Sequence, residues 1–151
     1  MKRFSRCLHA IAAGVLGLAV VVMPAAAQQV RVVGGMVVNF GLVSAEDAMG
    51  AAGHSESHPP NPPSGSQHLL ITLDDEKTHK RIGDAEVAIE VKDPHGRMER
   101  KPLLHTQAAG LPDYSELFVF GWSGEYAVHV FITPKPGAKP LETTFVVHHP
   151  M

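Results

Sequence analysis

From residue 85 to residue 91 every second side chain is apolar: Ala85, Val87, Ile89 and Val91, with Glu86 and Glu90 between them and Lys92 following. In extended chain, successive side chains point to opposite faces, so this period of two defines one buried and one solvated face. A helix would scatter the same four residues around its axis. The order recurs at Leu69, Ile71 and Leu73, and residues 97–103, 116–120, 125–133 and 141–148 read as further strands. Turn chemistry separates them. Residues 74–79 form a polar connection to Arg81 and Ile82, Asp93-Pro94-His95-Gly96 is a turn, and residues 134–140 hold three prolines and a glycine. Short alternating strands at this spacing predict an all-β, antiparallel β-sandwich of about seven strands. In that fold Val87, Ile89, Tyr126 and Val128 belong to the core.

The N-terminus follows a different logic. Lys2, Arg3 and Arg6 precede an apolar run from residue 8 to residue 22, which closes on Met23, Pro24 and three alanines. A charged start, an apolar stretch too short for a comfortable membrane span and small residues at an A-x-A site are the marks of a cleaved secretory signal. Residues 1–27 are therefore expected to be removed, leaving Gln28 first. Cys7 leaves with them, so the mature chain has no thiol. The reading places the protein in the periplasm or an equivalent exported compartment, with no membrane span after cleavage.

The mature chain retains ten basic residues against fifteen acidic ones, a formal charge of −5 that argues against nucleic acid as a partner. Its 124 residues suffice for one core without disulfides. In residues 28–48, Val30, Val32, Val33, Val37, Val38 and Phe40 read as extended chain interrupted by Gly34, Gly35 and Gly41, giving two short strands or one bulged strand. Residues 49–66 change to Gly, Ala, Ser, His and Pro, with Pro59, Pro60, Pro62 and Pro63 disfavouring helix. The expected division is thus an N-terminal extended segment with a His/Pro-rich loop over residues 28–66, and a sandwich over residues 67–151.

Within the sandwich region, Gly124-Glu125-Tyr126-Ala127-Val128-His129-Val130 resembles the penultimate-strand signature of immunoglobulin-like domains, with Tyr126 as the tyrosine-corner residue. Together with the stretch KRIGDAEVAIEV, it is similar to the YtkA-like and FixH-like group of bacterial extracytoplasmic domains. The likeness covers residues 67–148 and implies an immunoglobulin-like sandwich that accompanies copper handling or respiratory-oxidase assembly. The methionine-rich MPxM-type element of the copper-associated members is absent here, which argues against sulfur ligation of Cu(I).

Histidine is the residue with chemistry to offer. Nine of the ten histidines survive cleavage, far above ordinary usage, and neutral imidazole suits Cu(II), Zn(II) and Ni(II). His54 and His58 lie in the proline-rich loop, His68 opens a strand and His105 follows a strand end. These four are the candidate metal ligands. A loop folding back over the strand edge would bring His54, His58 and His68 together. His148 and His149 point to opposite faces of one strand, His129 faces outward on its strand, and His79 and His95 sit in solvated turns.

Other constellations are weaker. Asp74-Asp75-Glu76 lacks the spaced oxygen ligands of a hard-cation site and reads as a solvated turn. Gly-Trp-Ser-Gly around Trp122 and Ser123 lacks the nucleophile-elbow spacing, and Trp122 is expected on the sandwich rim. Gly34-Gly35 is followed by neither Lys nor helix, so it makes no phosphate cradle. The expectation is a non-enzymatic metal-binding or metal-delivery protein, with copper the first candidate and zinc the second. The alternative is an interaction module accessory to a membrane transporter or respiratory oxidase complex, its histidines incidental and its partner held at a sheet edge or by the valine-rich N-terminal segment.

Overall fold

A computed structural model describes residues 29–45, 61–108 and 110–150. The expected signal segment, Gln28, His54 and His58 lie outside the described residues. The described chain forms ten strands: β1 (Gln29–Val33), β2 (Met36–Ser44), β3 (Ser66–Asp75), β4 (Arg81–Ile82), β5 (Glu86–Lys92), β6 (Met98–Pro102), β7 (Leu104–Ala108), β8 (Leu111–Val119), β9 (Gly124–Thr133) and β10 (Leu141–His149). One sheet runs β1-β2-β3-β8-β7 with β4 paired to β3, and the other runs β10-β9-β5-β6. All pairings are antiparallel. The chain is an all-β, immunoglobulin-like sandwich, as the alternation requires.

The period-two pattern places side chains where it should. Val87, Ile89 and Val91 of β5 face Leu69, Ile71 and Leu73 of β3 across one core, and Tyr126, Val128, Val130 and Ile132 of β9 are buried with them. Phe40 of β2 stacks on Phe145 of β10, with ring centroids 5.0 Å apart and planes at 17°, and so joins the two sheets directly.

Three features of the architecture differ from the sequence reading. First, residues 29–44 are not an appendage to a sandwich starting at residue 67 but form two of its strands. Val33 pairs with Met36 across a two-residue turn, where Gly34 and Gly35 have φ of 57° and 77°. Both turn positions are left-handed, the geometry that matches the strand twist of a tight hairpin and that glycine adopts without strain. A Cβ on Gly34 would also run into Leu141 Cδ1. The hairpin's second strand then pairs along β3 from Met36↔Asp75 to Ser44↔Gln67, and Met36, Val38 and Phe40 enter the same core.

Second, the segment read as one strand over residues 97–103 continues and changes sheets. β6 pairs with β5, then Leu103 donates its backbone N–H to Val87 O at 2.8 Å and buries its side chain, and β7 pairs with β8. His105 therefore sits within an edge strand instead of beyond a strand end. Third, β8 begins at Leu111, before the expected residue 116. Pro112 is tolerated there because β3 pairs with β8 only from Tyr114 onward, and Arg81 Nη1 donates to Pro112 O at 3.2 Å in place of a strand.

Candidate metal centre

His68 lies near the start of β3. Since Leu69, Ile71 and Leu73 point into the core, His68 shares the opposite, outer face of the six-stranded sheet with Leu70 and Thr72. Its register partners are Val43 on β2 and Leu117 on β8. Although it is on the outer face, it is only 7% exposed. An imidazole on a central strand between two paired neighbours has little freedom to move, which is the condition for a preplaced ligand.

The connection that carries His54 and His58 departs and returns at this same place. β2 ends at Ser44, which pairs with Gln67 beside His68, and β3 begins at Ser66. The two loop histidines lie outside the described residues.

His105 is not brought to His68. It pairs with Tyr114, which in turn pairs with Ile71, a core-facing position. His105 is thus on the inner face of the sheet and His68 on the outer. The His105 ring meets the Tyr114 ring edge-on, with centroids 5.5 Å apart. Both line an open groove of about 700 Å³ with Leu103, Pro102, Arg100 and Phe131, where the chain crosses between sheets. The Tyr114 hydroxyl accepts the Ala85 N–H at 3.1 Å. Burial raises the pKa of this phenol above 10.0, opposed by the Ala85 hydrogen bond and reinforced by the Asp84 charge.

Other histidines gather at the His68 end of the sandwich without converging on one point. His95, in the β5–β6 turn, meets Trp122 edge-on at 5.0 Å. His149, at the end of β10, lies 5.9 Å from the Phe120 ring and 6.4 Å from the Tyr126 ring, measured between centroids. His148 Nε2 is 3.8 Å from Glu125 Oε2 in an exposed pair. The turn spacing that marked His95 as solvated contains no sign of Trp122, a neighbour only in the fold. His129 is on the outer face of β9, with Nδ1 3.1 Å from Thr144 Oγ1. Among the described residues, no three His, Asp or Glu side chains converge closely enough to hold a metal ion.

The acidic run at Asp74-Asp75-Glu76 is occupied by structural work. Asp74 pairs with Arg81 Nε at 2.7 Å and accepts from Asn39 Nδ2 at 3.1 Å. Asp75 accepts from the Thr78 N–H at 2.7 Å, the Thr78 hydroxyl at 2.8 Å and the Lys77 N–H at 3.1 Å. These bonds, chiefly those from Thr78, hold its carboxyl below the usual range and close the β3–β4 turn.

Two antiparallel sheets, a strand that changes sheets and a tyrosine hydroxyl tied to the backbone at one corner define an immunoglobulin-like sandwich domain. Solved structures share that fold. FetP of uropathogenic Escherichia coli, expressed in the periplasm of E. coli, superposes with a TM-score of 0.64 at 12% identity over 83% of this chain and 95% of that chain. A variant of FetP has been solved with copper bound. Copper-reconstituted P19 of Campylobacter jejuni gives a TM-score of 0.61 at 13% identity, covering 80% of this chain and 92% of that chain. A DUF4426 family protein of Pseudomonas aeruginosa gives 0.60 at 13%, covering 82% and 94%. No family model and no curated protein sequence matches the chain. Within the described residues, no helix is long and apolar enough to cross a membrane.

Proposed function

We propose that the chain is exported to the periplasm, loses residues 1–27, and there binds or delivers a divalent late transition metal without acting as an enzyme. Copper is the first candidate and zinc the second. The observation that carries the reading is the position of His68, a buried imidazole on a central strand beside both ends of the connection bearing His54 and His58. Loop ligands lose chain entropy on closing around an ion, whereas a strand ligand is already placed, so a mixed site holds metal more tightly. The donor set fits the metal: imidazole nitrogens suit Cu(II) and Zn(II), and the mature chain has no cysteine. The copper-bound structures of FetP and P19, which share the sandwich, support copper over zinc. His105, on the other face of the sheet, stands outside this ligand set.

Titration calorimetry with Cu(II) and with Zn(II) on the mature protein tests the proposal. The His54→Ala/His58→Ala form and His68→Ala should each lose affinity by tenfold or more, and His105→Ala should match wild type. Equal binding by all four proteins, or wild-type binding no tighter than a free histidine-containing peptide, sinks it. A second reading, an accessory of a membrane transporter or oxidase, is favoured by β1, an edge strand whose Val30 and Val32 are 48% and 56% exposed. Failure of metal binding together with co-purification of a membrane complex supports that alternative.

A further inference from the structure

The edge of the six-stranded sheet is only partly covered. β7 pairs with β8 at Leu111 through Ser115 and stops at Leu104, because the preceding residues belong to the other sheet. Along an antiparallel strand, alternate residues direct both backbone groups to the same side. Leu111, Asp113 and Ser115 occupy every second position, so Leu117 is the first residue whose N–H and C=O face an edge on which none of the described strands lies. Both groups are nevertheless taken by side chains. Lys101, on β6 of the opposite sheet, donates its Nζ to Leu117 O at 2.7 Å, and Glu116 Oε1 accepts the Leu117 N–H at 2.9 Å.

Lys101 is itself held in place. Its Nζ is 2.9 Å from Glu99 Oε1 and 4.7 Å from the centre of the Phe118 ring. Beyond it the edge continues along a groove of about 320 Å³ lined by Val119, Trp122 and Tyr126, with Arg97 and Glu99 opposite. Val119 is 46% exposed and Trp122 58%. An apolar strand edge of this kind is a template for pairing, and a charged side chain lying across it is one of the ways such pairing is prevented.

We propose that Lys101 and Glu116 act as an edge guard, holding the backbone groups of Leu117 so that the uncovered stretch of β8 does not pair with the same stretch of a second copy of this chain. The second copy is the occupant the geometry selects. Antiparallel contact of β8 with itself about a two-fold axis needs no other sequence, and with Leu117 opposite Val119 of the second copy each apolar side chain would meet another.

The test uses the full mature chain. Lys101→Met keeps the side-chain stem and removes the donor, and Glu116→Val removes the acceptor. The double variant should shift to a dimer or larger species by size-exclusion chromatography with light scattering, at concentrations where wild type shows no such shift. Adding Val119→Pro, which deletes the next amide along the same edge, should reverse it. The single Glu116→Val variant gives a separate readout, because exchange of the Leu117 amide should accelerate at least tenfold with its acceptor gone. A folded double variant with the wild-type association state, or unchanged Leu117 exchange in Glu116→Val, overturns the guard. If the double variant does not fold, the exchange measurement alone decides.

Discussion

The Tyr126 hydroxyl accepts the backbone N–H of Trp122 at 3.0 Å and donates to the Trp122 carbonyl at 2.9 Å. Both bonds involve the Trp122 backbone, and its indole stands 58% exposed. The tyrosine thus secures the β8–β9 corner while its own ring fills the core. Tyr126→Phe should destabilise the domain by about 1–3 kcal/mol, because two polar backbone groups lose their partner. Trp122→Ala should cost less than about 1 kcal/mol, since the backbone bonds survive. Urea denaturation of both variants checks the order.

Ile89 and Glu90 are adjacent on β5 and lie on opposite faces, Ile89 fully buried and Glu90 outside. Ile89→Ala should cost about 2–5 kcal/mol, the combined loss of apolar transfer and the cavity left behind. Glu90→Ala should change stability by about 0.5 kcal/mol or less. Similar values at both positions in chemical denaturation would reverse the face assignment.

A fragment of residues 67–151 should not fold. It lacks β1 and β2, leaves one edge of β3 unpaired, and removes Met36, Val38 and the Phe40 ring that stacks on Phe145. Circular dichroism and one-dimensional proton NMR of the fragment should show loss of strand signal and of shift dispersion, while residues 28–151 retain both.

The raised pKa of Tyr114 fixes the sign of a pH effect. Its neutral form is favoured in the fold, so the stabilisation it contributes is present below the ordinary value of 10.0 and is lost as pH rises through the higher folded value. Tyr114→Phe should be less stable than wild type by about 1–3 kcal/mol at neutral pH, through the unpartnered Ala85 N–H. That difference should shrink above pH 10. Urea unfolding at pH 7 and at several values above 10, with tyrosinate absorbance followed in parallel, measures it.

Signal cleavage is a separate expectation. N-terminal sequencing of the exported protein should begin at Gln28, and a mature, membrane-held form beginning at Met1 would refute both cleavage and release as a soluble domain.

How much of this was legible in the residues depended on range. Ala85, Val87, Ile89 and Val91 specified a strand and its buried face by themselves, because the side-chain period of two is a property of the local backbone. Gly34-Gly35 marked an interruption, but whether it made a bulge or a hairpin depended on the pairing of β1 with β2. Tyr126 was placed at its corner by the GEYAVHV pattern, and the fold supplied Trp122 as its partner. The sheet change after Leu103 left no local sign, since Arg97 to Leu103 alternates in either sheet and only the pairing of β7 with β8 makes the crossing. Composition pointed to the histidines but could not sort them. His68 and His105 look alike as strand-flanking residues, and it took the register through Leu117, Tyr114 and Ile71 to put them on opposite faces of one sheet. The sequence by itself determined what short-range periodicity and turn chemistry encode. Tertiary structure decided which strands are neighbours, because that choice depends on apolar surfaces and backbone groups finding partners far along the chain.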